Sequence, residues 1–258
     1  MIANAIPTSQ TSRHEERITT AARAGSHPSQ WLRRLVLVVL WRLRYRLTLR
    51  DLAEMFLIRG MVFSHEAVRK WEAKLAPVLA GELRQRRRRK GGPGHRSWHV
   101  DETYLKVRGR WCYLYRAIDR NGDLVDTMLS EHRDMAAAKA FFRSARSATG
   151  IVPDQVTTDG HGSYPRAIRS TLGKWVTHRT SAYRNNGLEQ DHRGIKGRIR
   201  CMRGFKSFTS AERFCRSYDE LRNHLRPRVR HNQHVPANRR RVLHLRRAES
   251  ALAILSAG

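Results

Sequence analysis

The residue pattern changes character near residue 97, and that change limits the folds open to this chain. Three β-rich runs follow one another there: SWHVDETYLKV (97–107), RWCYLYRAID (110–119) and DLVDTMLSE (123–131). Gly109 separates the first two and Asn121-Gly122 the second two. Asn-Gly between such runs is the strongest short hairpin signal, because both residues accept the positive φ that a tight turn needs. Three antiparallel strands are therefore expected. MAAAKAFFRSARSA (135–148) then reads as a helix, QVTTD (155–159) as a short strand, and SYPRAIRSTL (163–172) as a helix from Pro165. WVTHR (175–179) reads as another strand and LEQDHRGIKGRIR (188–200) as a late helix. An antiparallel start followed by alternating helix and strand predicts an α/β fold.

Upstream the period is helical. Residues 1–30 lack periodicity and read as a poorly ordered leader. WLRRLVLVVLWRLRYRL (31–47) has a continuous apolar run of only seven residues, Leu35 to Trp41, flanked by arginines. A membrane span needs roughly 20 apolar residues, so a buried helix is expected and no membrane partner. In TLRDLAEMFLIR (48–59), Leu49, Leu52, Ala53 and Phe56 follow the i, i+3, i+4, i+7 rule, Thr48 is placed to cap, and Gly60 to terminate. After MVF, Ser64 caps a second helix, with Ala67, Val68, Trp71 and Leu75 on its apolar face and Pro77 just past its end. Its other face offers His65, Arg69, Lys70 and Lys74. Helix, glycine turn, basic helix is the shape of a DNA-binding helix-turn-helix over 31–83; an ordinary helical hairpin has the same pattern.

Charge bears on that choice. With 51 Lys+Arg against 22 Asp+Glu, the net charge is +29, which implies a polyanionic partner, nucleic acid first. Six of the seven residues 84–90 are basic, and Gly91, Gly92, Pro93 and Gly94 follow. Residues 84–96 therefore read as a linker and cationic arm, with Arg87, Arg88 and Arg89 available to phosphates. The catalytic-type segment spans 97–225. Residues 226–247 carry eight arginines and no acid, and ALAILSA after them is an apolar packing or dimer helix, so that 226–258 forms an Arg-rich tail. Cys112, Cys201 and Cys215 form no CxxC pair, which argues against a zinc ribbon or a disulfide framework and fits a reducing cytoplasm.

Against this background the acids stand out. Asp101 lies in mid-strand among Trp98, Val100 and Leu105; Asp159 ends a strand beside Gly160; Glu189 opens the late helix. A buried carboxylate is costly without a partner, and strand ends are where open α/β sheets place their sites. Three converging carboxylates in so basic a chain suit Mg²⁺, in pairs able to serve an in-line displacement at a phosphodiester. On a helix, Glu189, His192, Arg193 and Lys196 share one face, which sets basic groups behind the acid to hold phosphates. Spacing alone favours a solvated, salt-bridged helix over an active-site one.

The motifs SWHVDETYLKVRGRWCYLYRAID, TDG, NNGLEQDHRGIK and GFKSF together resemble bacterial DDE transposases, in particular the insertion-sequence-six family, from about Leu32 to Arg226. The resemblance implies a helix-turn-helix followed by a ribonuclease-H-like, integrase-type catalytic domain. It implies that Asp101, Asp159 and Glu189 are the catalytic, metal-holding residues and that Lys196 contacts DNA near the cut. It implies two Mg²⁺ ions, with Mn²⁺ able to substitute, and a homodimer or larger assembly. The DNA partners are short terminal inverted repeats and target DNA, joined by a replicative, cointegrate-forming route. The rival readings are an inactive relic that only binds DNA, a structure-selective nuclease of the same fold, and a basic ribosomal or chromatin-type protein.

Other residues read more plainly. Glu102 alternates to the opposite face of its strand and Asp191 faces away from Glu189 on its helix. Asp119 and Asp123 are turn residues. Trp98, Trp111 and Trp175 read as core, and His99 as a core histidine near Asp101.

Overall fold

The computed structural model describes residues 28–89, 96–181, 186–227 and 235–256. Among these, eight helices and five strands follow in the order α1 (Pro28–Arg44), α2 (Leu49–Leu57), α3 (His65–Arg89), β1 (Ser97–Val107), β2 (Arg110–Asp119), β3 (Leu124–Ser130), α4 (Met135–Thr149), β4 (Gln155–Thr158), α5 (Tyr164–Thr171), β5 (Thr177–Thr180), α6 (Asn186–Ile199), α7 (Phe208–Leu225) and α8 (Ala237–Ser256). The expected leader lies outside the described residues up to 27, and from Pro28 the chain is already helical.

The strands form one mixed sheet in the order β3-β2-β1-β4-β5. β1, β2 and β3 are antiparallel, as the Asn-Gly signal requires: Asp119 Oδ1 accepts from the backbone N–H groups of Asn121 and Asp123, and Gly122 takes φ 76°. β4 pairs parallel to β1, and β5 parallel to β4. Alternation along β1 and β2 divides the core in two. Trp98, Val100, Tyr115 and Ala117 face α4 and α5, meeting Phe141, Phe142, Tyr164 and Ile168. Leu105, Val107, Cys112 and Leu114 face α7, meeting Phe214, Cys215 and Leu221. This is the mixed α/β arrangement expected, with its antiparallel start.

The N-terminal helices form a third, aromatic cluster around Trp31, Leu52, Phe56 and Val68. α2 begins in a full capping box: Thr48 accepts from the Asp51 N–H while the Asp51 carboxylate accepts from the Thr48 N–H. Gly60, at φ 70°, turns the chain toward α3, whose start Ser64 caps through the Ala67 N–H. That connection runs from Ile58 to Ser64, longer than the three or four residues of a tight helix-turn-helix.

Here the structure departs from the sequence reading. α3 does not stop before Pro77; it continues as one 25-residue helix to Arg89. An internal proline costs about 3 kcal/mol, but Leu79, Ala80 and Leu83 all bury beyond it, and burying a leucine-sized side chain returns about 1.5–3 kcal/mol each. The expected linker over 84–96 is therefore helical through Arg89, while residues 90–95 lie outside the described residues. Arg87, expected to meet phosphates, is buried: its guanidinium pairs with Glu220 at 2.7 Å and donates to the Leu124 and Val125 carbonyls on β3. Arg84 likewise pairs inward, with Asp126. Arg88 and Arg89 are exposed. The helical and sheet regions thus share one core, in which Leu43, Leu79, Leu114, Phe214 and Leu221 pack together.

The C-terminal segment is likewise no loose tail from 237 onward. α8 buries Ala251 and Ile254 in the same core, so the apolar end packs on its own chain. No described helix is long and apolar enough to cross a membrane.

Candidate active site

β4 pairs with β1 only at Ser97, Trp98 and His99, opposite Gln155, Val156 and Thr157. That register is an offset of 58, the same offset that separates Asp101 from Asp159 (159 − 101). The two aspartates therefore stand level on neighbouring strands just past the point where the ladder ends. Gly160 turns the chain away behind Asp159 at φ 91°, and a Cβ there would meet Thr180 at 3.3 Å. Beyond His99, β1 has no β4 neighbour, which opens the crevice in which the carboxylates lie.

The carboxylate oxygens of Asp101, Glu102 and Asp159 lie within 4.8 Å of one another. Glu102 is the residue the alternation argument set aside. Its backbone points it to the α5 face, as expected, but its longer side chain keeps its head beside the aspartates. It is clasped there by the Tyr164 hydroxyl and by Arg133, which also donates to Asp159 at 3.1 Å. Nothing local to Glu102 announces this: Arg133 and Tyr164 arrive from 31 and 62 residues away.

α6 crosses the α7 face of the sheet. Asp191, expected to face away from Glu189, does so and is buried: it pairs with Arg222 of α7 and lies 3.5 Å from Arg116 of β2. Arg116 is itself buried against Asp219 at 2.5 Å. These pairs fix the rotation of α6. His192 then points inward, its Nδ1 3.9 Å from Asp101 Oδ2, and is only 8 % exposed. Burial, reinforced by Arg116 and Lys196, pushes its pKa down to about 3, so it is neutral near pH 7. This corrects its expected place among phosphate-binding cations on the outer face. Glu189, one turn earlier, does not join the carboxylate group; its side chain is 55 % exposed and 3.9 Å from Arg193. Lys196 lies over the Tyr104 ring, 4.6 Å from its centroid.

The comparisons with known proteins bear on what this crevice does. A family model described as a DDE domain matches residues 95–228, a little over half of the chain. A transposase of the insertion-sequence-like element IS431mec from Staphylococcus aureus is 38% identical over 168 residues, spanning 64% of this chain and 73% of that protein. The chain belongs to the insertion-sequence DDE transposases. A second transposase from the same species, of insertion sequence element IS257 in transposon Tn4003, is 38% identical over the same length. Among solved structures, the catalytic domain of Mos1 mariner transposase is 15% identical with a TM-score of 0.37, covering 71% of this chain and 93% of that one.

A DDE transposase is a metal-dependent polynucleotidyl transferase, and the residues of this one fit a divalent ion. Hard oxygen donors converge at one point, the donor set a divalent ion prefers. Burial, then the neighbouring Glu102, with Asp159 adding to it, raises the pKa of Asp101 to about 7. Metal binding needs the ionised carboxylate, so it displaces that proton. We expect the affinity of this transposase for Mg²⁺ to fall about tenfold per pH unit below pH 7, with about one proton released per site in calorimetric titrations. An affinity flat between pH 6 and 8 would contradict the shift. For folding the sign is reversed. The folded state keeps a proton that the unfolded chain has lost, so this group costs stability as pH rises from about 4 through about 7.

The cations expected at DNA divide by environment. Arg69, Lys70 and Lys74 are exposed on α3, and His65 partly so; Arg69 and His65 both lie near Glu66, at 3.0 Å and 3.4 Å. A cleft of about 620 Å³ opens beside them, where α2 and the start of α3 face the segment 201–207. Arg50, Arg69, Arg203, Lys206 and Arg213 line it. Trp98 is core, but Trp111 and Trp175, also expected as core, are 51 % and 86 % exposed.

Proposed function

We propose that this transposase binds the terminal inverted repeats of its insertion sequence and moves the element by a replicative, cointegrate-forming route. It cuts each end to leave a 3′-OH and directs that 3′-OH at target DNA. The observation that carries the reading is the level placement of Asp101 and Asp159 on adjacent strands, with α6 locked so that His192 faces Asp101 and Glu189 lies one turn earlier on the same helix. Asp101, Asp159 and Glu189 are the residues that would hold two Mg²⁺ ions, or Mn²⁺ in their place. Bound there, the ions would activate the attacking oxygen and stabilise the leaving one.

The chain's own groups supply the rest. His192, neutral and buried, orients Asp101 without adding charge. Arg133 pairs with both Glu102 and Asp159 and ties the two carboxylates together. Arg193 is placed for a bidentate grip on a phosphate of the entering strand, and Lys196 for a second contact. His65, Arg69, Lys70 and Lys74 on α3 hold the repeat, and Arg88 and Arg89 extend the basic surface. The enzyme works as a homodimer or larger assembly, since two element ends must be cut and joined together. A bacterial protein acting on DNA in this way works in the cytoplasm.

The test is joining of a labelled element end to a plasmid by the purified chain. Joining that needs Mg²⁺ and the terminal repeat supports the reading. Cutting without joining, on ends of any sequence, would make it a nuclease of the same fold. Binding without any reaction across metals and ends would make it a DNA-binding relic.

A further inference from the structure

We propose that the exposed ring pair Tyr104–Trp111 is a seat for an unstacked nucleobase of the DNA strand entering the active site. The inference rests on the transposition reading and adds a binding site to it. Tyr104 and Trp111 are 55 % and 51 % exposed, although large aromatic side chains are normally the anchors of a core. They are in contact, edge to face, with ring centroids 5.0 Å apart. The pair is held by pairing between β1 and β2, where Trp111 lies opposite Lys106 and Tyr104 opposite Tyr113. An exposed aromatic pair on a rigid hairpin, reached from the described helices by the Lys196 side chain of α6, marks an interaction surface.

Position and charge identify the occupant. Tyr104 is three residues beyond Asp101 on the same strand, about 10 Å along it, or roughly three steps of a B-form strand. By alternation Tyr104 leaves β1 on the face of Glu102, two residues away, and opposite to Asp101, but β4 has ended by then, and across that open edge Lys196 of α6 reaches the Tyr104 ring. A lysine ammonium stands against each ring: Lys106 is 4.7 Å from the Trp111 centroid, and Lys196 of α6 is 4.6 Å from that of Tyr104. Arg110 is exposed at the hairpin tip beside them. Rings flanked by cations match the alternation of base and phosphate in a single strand. A paired duplex hides its base faces within the stack and offers only the phosphates. The chemistry on this hairpin therefore selects a strand whose terminal base pairs have opened, next to the point of cutting.

The experiment uses the full chain and two duplexes of the element end. One is fully paired. The other carries three unpaired terminal nucleotides, one of them 2-aminopurine, whose fluorescence falls on stacking. Wild type should bind the unpaired end more tightly and quench the probe. Trp111→Ala should lose about 5- to 150-fold in affinity for the unpaired end, abolish the quenching, and leave affinity for the paired duplex nearly unchanged. Trp111→Phe, which keeps a stacking face, should retain most of both. Equal loss on both duplexes, or unchanged quenching in Trp111→Ala, overturns the seat. So does a shift of Trp111→Ala to a smaller assembly with the quenching intact, since the rings would then be covered by a second copy of the chain. Joining by the wild type separates the two readings: joining without quenching removes the base seat alone, and quenching without joining removes the transposition reading alone.

Discussion

Glu189→Gln transposase is expected to bind its element end as wild type does and to fail to join it. The substitution keeps shape and removes one charge. Its structural cost is small, because Glu189 is 55 % exposed and its ion pair with Arg193, at 3.9 Å, is of the surface kind worth at most about 1 kcal/mol. Its catalytic cost is large if the carboxylate holds a metal. Such an ion supplies several kcal/mol of charge stabilisation at the reacting phosphate, and each 1.4 kcal/mol or so is tenfold in rate, so a loss of roughly a thousandfold is expected. The measurement is single-turnover joining beside end binding on the same preparation. The structure also supplies the competing outcome. Among the described residues Glu102, not Glu189, lies with the two aspartates. If Glu102→Gln abolishes joining and Glu189→Gln does not, the third metal-holding carboxylate is on β1 and α6 is only a DNA-facing helix.

The second large effect is on stability. Arg116→Met should lower it by about 3–5 kcal/mol, which for a chain of this size moves the melting midpoint by on the order of 10 °C. Arg116 is 1 % exposed and faces two buried acids, Asp219 at 2.5 Å and Asp191 at 3.5 Å. Removing it strands Asp219, whose pKa burial already holds above the usual carboxylate range despite the arginine. The pair itself need not be stabilising, since its desolvation offsets its attraction. Arg116→Met with Asp219→Leu should therefore recover most of the loss, as differential scanning calorimetry would show. A single variant that melts like wild type would mean the network is not what holds β2, α6 and α7 together.

How far this was legible in the sequence depends on the range of each determinant. The three antiparallel strands follow from Gly109 and Asn121-Gly122, and the start of α2 from Thr48 and Asp51: all are contacts between near neighbours. Asp101 and Asp159 were legible as acids in the wrong place for a core, and the sheet brings them level. The arginine run at 84–90 misled because charge says nothing of partners. Arg87 is drawn inward by Glu220, 133 residues away, and by carbonyls at the edge of β3. Pro77 misled because a local penalty was outweighed by burial on both sides of it. His192 was placed by helical spacing on the outer face with Glu189; spacing gives a shared face but not its direction, which the pairs made by Asp191 decide. Glu102 was set aside on strand parity, which fixes the side a chain leaves from and not where a long side chain ends. Trp111 and Trp175 were read as core on residue type alone, which carries no information on what will cover them.

One consequence of the long third helix concerns measurement. If its first turns hold the repeat, its last turns are built into the core of the catalytic sheet against α7 and β3, with no joint among the described residues between them. At 1.5 Å per residue its 25 residues span about 37 Å, close to one turn of B-form DNA, about 34–36 Å. The protein would then carry a ruler. The gap between the sequence it recognises and the bond it cuts is set by the length of one helix, and an element end lengthened by half a turn would present the right phosphate on the wrong side of the duplex.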